Sequence, residues 1–112
     1  MLTHKRLCEV LVYEKSTGLF RWRMKASKKT IVGEVAGCLT VEKSGYRRVR
    51  IRIDGRLYKA HRLAWFYETG RWPKHEIDHI NGDAADNRFE NLRDVPHRQN
   101  QIAMWERKKG LA

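Results

Sequence analysis

The stretch GYRRVRIRIDGRLYKA, residues 45–60, leaves the chain few options. Val49, Ile51 and Ile53 alternate with Arg48, Arg50 and Arg52, the period of two that sends successive side chains to opposite faces of a strand. Asp54-Gly55 then supplies a two-residue turn of the kind hairpins favour. Closing the hairpin there sets Ile51 opposite Tyr58, Val49 opposite Ala60 and Arg50 opposite Lys59. The first two pairs build an apolar face. The third opposes two cations, which costs a few tenths to about 1 kcal/mol. Asp54 is the only acid between residues 45 and 67. Such a face is relieved by an anion, so Arg48, Arg50, Arg52 and Lys59 are expected to contact DNA phosphates, and a two-stranded ribbon fits the major groove. An ordinary solvated sheet face is the competing reading.

The charge of the whole chain points the same way. Twenty-four Lys and Arg oppose thirteen Asp and Glu, a formal net charge of +11 that repels itself in the compact state unless a polyanion is present. Nucleic acid is the expected partner. A membrane surface is not, because no basic amphipathic helix with one broad apolar face is visible. No apolar run approaches the roughly 20 residues that span a bilayer, and the short LCEVLV near the start, broken by Glu9, does not read as a secretory signal. At 112 residues, 41% hydrophobic, the chain suits one compact unit rather than a disordered tail. Cys8 and Cys38 belong to no C-x-x-C pair, so no structural zinc is expected and both read as small buried residues or free thiols.

Local patterns order the remainder. Residues 3–13 place Leu7, Val10 and Leu11 at helical spacing behind Thr3, a candidate N-cap. LFRWRM alternates like a half-buried strand, and KASKKTIVGEVAG reads as a basic loop. HRLAWFYETG is a helix closed by Gly70, with Leu63, Phe66 and Tyr67 as its packing face. EIDHI is a short strand, 81–91 a loop and LRDV a second strand. Pro96 suits the first turn of a final helix towards residue 108, on which Ile102 and Trp105 pack inward while His97 and Asn100 share another side.

Strand, loop, strand, helix is also an order of chemistry, with Asp78-His79 on the first strand, Asn91 entering the second and Asn100 on the helix. HRLAWFYETGRWPKHEIDHINGDAADNRFENLRDVPHRQNQ, residues 61–101, resembles the HNH endonuclease family in its phage and homing-endonuclease branch, and DHINGDAADNRFENLR is a specific motif. YEKSTGLFRWR and GYRRVRIRIDGRLYKAHRLAW are similar to small phage-type members, so the likeness covers most of the chain. The resemblance implies an α+β fold: a C-terminal ββα-metal motif over residues 61–112, preceded in residues 1–60 by a short helix and the basic hairpin. It implies Asp78 and Asn100 as metal ligands, His79 as general base and Asn91 as the residue holding the loop that positions His79. The last position is Asn100 rather than His, which leaves His97 as a further metal or phosphate contact. The role of His61 is open. The expected products are 5′-phosphate and 3′-hydroxyl ends, and the expected setting is the cytoplasm of a bacterial or phage-infected cell.

Elementary chemistry agrees with that assignment. Asp and Asn oxygens are hard ligands that suit one Mg²⁺ or Mn²⁺ better than Zn²⁺. An imidazole titrating near 6.5 can take a proton from water at neutral pH. An EF-hand counted from Asp78 fails, since position six is Asp83 and position twelve Phe89. Arg88, Arg93 and Arg98 flank the site and are candidate phosphate clamps on double-stranded DNA. In a regular strand Asp78 and His79 point to opposite faces, so both address one phosphate only if the strand bends or ends there. A basic DNA-binding module without turnover, and an RNA-directed nuclease, are the rival functions. Nicking or double-strand cleavage, and monomer or homodimer, stay undecided, because no dimer seam is legible.

Overall fold

The computed structural model describes residues 1–41, 43–45 and 47–96. The expected final helix, with His97, Arg98, Asn100, Ile102 and Trp105, lies outside the described residues.

The chain opens with α1, His4–Val10, where the Thr3 hydroxyl accepts from the Arg6 amide at 3.1 Å. The helix stops earlier than the spacing of residues 3–13 suggests. Leu11 is already extended (φ −130°, ψ 152°) and begins β1, Leu11–Glu14, because the chain pairs instead with β2, Leu19–Trp22. β-branched Val10 and Val12 favour that exchange. The stretch read as a basic loop contributes a further strand, β3, Val35–Ala36, along β2.

The hairpin forms as its alternation and turn require: β5, Arg47–Ile53, and β6, Arg56–Lys59, with Ile51 opposite Tyr58 and Arg50 opposite Lys59. Asp54 and Gly55 both take positive φ (50° and 81°), as a type I′ turn demands. Two details differ. Val49 does not pair with Ala60, since Ala60 starts α2, Ala60–Thr69. The ribbon is three strands wide, because β4, Cys38–Val41, pairs along β5. All four β4 residues are exposed, so no buried face imposed an alternation that could be read. Gly37 lets the chain cross from β3 to β4. Its φ is +111°, and a Cβ there would meet Val49 Cγ1 at 3.1 Å and Ile51 Cγ1 at 3.2 Å.

α2 ends at Gly70 in the left-handed conformation (φ 75°), its amide bonded to the Phe66 carbonyl at 2.9 Å. Leu63, Ala64 and Phe66 are buried and Tyr67 packs at their edge. A connector follows, its Lys74 and His75 amides donating to the Asp94 carboxylate at 2.7 and 2.8 Å. β7, Glu76–His79, then pairs antiparallel with β8, Leu92–Val95.

One buried cluster ties these pieces together, drawing Leu7, Leu11 and Phe20 from the first sheet region, Ile51 and Ile53 from β5, Leu63 from α2 and Ile77 from β7. Full burial of each such side chain is worth about 1.5–3 kcal/mol. Trp65 lies against Phe89 and Trp72 stacks on Phe66 at 4.1 Å, so both tryptophans pack on the core. Cys8 is half-buried and Cys38 exposed, both free thiols. No helix among the described residues is long and apolar enough to cross a membrane. Among the described residues, the mixture of two α-helices and three small antiparallel sheets is an α+β fold.

Candidate nuclease site

β7 brings the acid and the imidazole to the end of a short hairpin. Its register sets Asp78 opposite Arg93 and His79 opposite Leu92, and the strand ends at His79. The loop that follows is built from its own polar side chains. The Asn91 amide oxygen accepts from the Asn81 N–H at 2.9 Å, while its NH₂ donates to Asn81 Oδ1 at 3.0 Å and to the Asp86 carbonyl at 2.9 Å. Asn81 Oδ1 also accepts from the Asp83 amide, and Asn81 Nδ2 donates to Asp86. Gly82, at φ 79°, closes the turn by donating to the His79 carbonyl at 2.8 Å. Asn91 is 5% exposed, so it braces the loop from inside.

Ile77 and His79 turn towards a cleft of about 300 Å³, which is also lined by Arg48, Lys59, His61, Arg62 and Asn87. His79, 6% exposed, lies with Nε2 2.8 Å from Asn87 Oδ1. The His61 ring stacks on it. Burial pushes the His61 imidazole down to about 3, helped by His79, Lys59, Arg62 and Arg48, so it is neutral at physiological pH. Lys59 is also shifted downward, by burial first and then by Arg48, Arg62 and Arg50. That crowding of cations is the like-charge cost expected for the hairpin, concentrated at one wall of the cleft.

Asp78 turns to the other face of β7, as strand alternation requires. Its carboxylate, 3% exposed, accepts from Arg93 Nε at 2.9 Å. Among the described residues no three His, Cys, Asp or Glu side chains gather into a metal cage. The Asp78 carboxylate is a hard oxygen, and hard oxygens suit Mg²⁺ or Mn²⁺, which keep several waters. Asn100 and His97 lie outside the described residues.

The arginines divide into two groups. Arg88 is engaged by Asp86 through two bonds of 2.8 Å and by Glu90 at 2.8 Å, and it holds the Asp86 carboxyl down to about 2. Arg47 reaches across from β5 to Asp83 at 2.9 Å and joins the basic sheet to the loop. Arg48, Arg50 and Arg52 stand on the face of β5 opposite Ile51 and Ile53, together with Lys59. Two residues that the spacing of the motif did not single out enter the site. Arg62 follows His61 on α2; its one signal is a place in the acid-poor span 45–67. Asn87 sits inside DHINGDAADNRFENLR among other asparagines, and nothing local marks it as the partner of His79.

Residues 58–102 match the model of the HNH endonuclease family. No curated protein matches the chain. Among solved structures, the chain is similar to one described as DNA binding and cleavage by the HNH homing endonuclease I-HmuI, with a TM-score of 0.55 and 21% identity over 92% of this chain. The likeness takes in 55% of that protein, so the chain spans about half its length, and at this identity it shows a common fold. With the motif seated on the β7–loop–β8 hairpin and the family match running through it, residues 58–102 are similar to the HNH endonuclease family, within a fold like that of an HNH homing endonuclease.

Proposed function

We propose that the protein is a divalent-metal-dependent DNA endonuclease of the homing type, with His79 as its general base. The observation that carries this is the cleft itself: the His79 imidazole, held against Asn87, with Arg48, Lys59 and Arg62 around it. Three cations beside a proton acceptor form a site for a phosphodiester rather than for a neutral substrate. The solved structure with this fold concerns an enzyme that binds and cleaves DNA, which supports the same substrate.

In this reading the cations of the β5–β6 face and of α2 hold the DNA backbone and bring a phosphate to the cleft. His79 takes the proton from the attacking water. Asp78, with Asn100, would hold one Mg²⁺ or Mn²⁺, which when bound stabilises the developing charge on the phosphate and the departing oxygen. Asn91 keeps the loop in place, so that the strand ends where His79 stands. Residues 61–112 are the nuclease motif and residues 1–60 the DNA-contacting element.

A second reading has one observation in its favour. Arg93 places a cation against Asp78 at 2.9 Å, in competition with a metal. A basic module that binds DNA without cutting it would retain such a pair.

Supercoiled plasmid separates the two. Incubated with the protein in Mg²⁺ or Mn²⁺, it is expected to be nicked, and EDTA or His79→Ala is expected to abolish nicking while DNA binding persists. Linear product slow to appear marks a nickase. Intact plasmid that is shifted on a gel in every metal, equally by wild type and His79→Ala, would overturn the nuclease reading. Preferential competition by RNA would redirect it to an RNA substrate.

A further inference from the structure

The catalytic assignment names none of the first twenty residues, yet they meet the site at Asn87. The Tyr13 hydroxyl donates to the backbone carbonyl of Asn87. Tyr13 is 6% exposed, and its ring is wedged against Phe20 and Tyr67 with centroids at 4.8 and 5.8 Å. Gly18, in the turn between β1 and β2, lies flat against the peptide joining Asn87 to Arg88. A Cβ at Gly18 would overlap backbone atoms of both residues, and its φ of +78° suits glycine. On the far side, Arg88 is fixed by its two bonds to Asp86. Asn87 is therefore clamped from a hairpin roughly 70 residues away in sequence, and it is itself 3% exposed.

What the clamp holds is the amide oxygen 2.8 Å from His79 Nε2. An amide oxygen only accepts, so the ring nitrogen facing it carries the hydrogen. In a neutral imidazole the other nitrogen, Nδ1, then holds the lone pair. We propose that Asn87 is the positioning residue that keeps His79 in the Nε2–H tautomer, with Nδ1 as the proton-accepting atom. The N-terminal hairpin, through Tyr13 and Gly18, is the support that holds Asn87 in place. The β1–β2 sheet is thereby part of the nuclease site rather than an appendage to it. The inference rests on His79 acting as the base, but its central claim can be read without any cleavage.

The test is long-range ¹H–¹⁵N NMR of the His79 ring in the full chain at about pH 8.5, where a free imidazole is neutral. It is paired with single-turnover plasmid nicking. Wild type is expected to show one tautomer, Nε2–H. Asn87→Ala is expected to show a mixture and to nick about 10- to 100-fold more slowly, the loss typical of a lost orienting bond, with unchanged DNA affinity. Asn87→Asp, which keeps an oxygen acceptor, is expected to restore the single tautomer. Tyr13→Phe leaves the amide in place but frees the carbonyl behind it, and is expected to give a partial mixture and a several-fold loss of rate. It also serves where Gly18→Ala fails to fold. An Nδ1–H tautomer in wild type, or an unaltered Nε2–H signal in Asn87→Ala, would overturn the proposal. A wild type with the Nε2–H tautomer fixed by Asn87 but no nicking would uphold the clamp and remove the nuclease reading instead.

Discussion

The imidazoles of His61 and His79 lie stacked, ring centroids 5.2 Å apart and planes 23° from parallel. Burial first, and then His79, Lys59, Arg62 and Arg48, make a charge on His61 costly, so its ring stays neutral near pH 7. Its Nδ1 is buried with no hydrogen-bond partner among the described residues.

Acid should therefore weaken the fold through His61. The folded state holds this group near 3, while the unfolded chain binds its proton near 6.5. Between those values the unfolded state carries more protons, so stability rises with pH and is complete above about 6.5. Each pH unit below that costs about 1.4 kcal/mol while His61 stays neutral. Urea unfolding of the wild type at pH 7, 6 and 5 should show the falling midpoint, and His61→Phe, which keeps a stacked ring without the titration, should flatten it. Equal pH slopes in the two proteins would show that other groups govern acid stability.

Asn91→Ala removes three side-chain bonds at once and strands the Asn81 amide and the Asp86 carbonyl. A buried polar group left unpaired costs about 1–3 kcal/mol, so the variant should fold with a lowered melting temperature. Because His79 ends its strand at the edge of that loop, nicking should be lost well before the fold is. Wild-type cleavage by the variant would show that the loop holds without its brace.

The wall of cations should be legible in salt. Each phosphate neutralised on duplex DNA adds about −0.9 to the slope of log binding constant against log salt. Lys59→Ala and Arg48→Ala should each make that slope shallower by the share of roughly one phosphate. Lys59→Ala should cost the free protein little, since it relieves repulsion from its arginine neighbours. Arg88, divided between Asp86 and Glu90, should change the slope less. Anisotropy of a labelled duplex across a salt series measures all three. If Arg88→Ala made the slope as shallow as Lys59→Ala does, the carboxylates around Arg88 would have to release it on binding.

Arg93 and a metal compete for one carboxylate if Asp78 is a ligand. The pair is half exposed on its arginine side (45%), so its worth is about 1 kcal/mol at most. Arg93→Gln should lower the Mg²⁺ concentration that half-saturates nicking, by up to about five-fold. An unchanged or raised requirement would place the metal away from Asp78 or make Arg93 a phosphate ligand.

The chain itself determined whatever a local period or a turn chemistry can encode. Alternation from Arg47 to Ile53 with Asp54-Gly55 specified a hairpin down to its register, and Gly70 closed α2 where the apolar face ran out. The strand–loop–strand frame around Asp78 and His79 was equally legible, because Asn81-Gly82 favours a turn there. Tertiary structure decided the rest. β4 is exposed at every position and carries no periodicity, so only its pairing with β5 makes it a strand. α1 yields to β1 at Leu11 because β2 offers a partner that a helix would forgo. Asn87 becomes the partner of His79, and Tyr13 the partner of Asn87, the second of these across most of the chain. Periodicity records which face of an element is buried. It does not record what lies on the other side of that burial, and the cleft of this protein is made there.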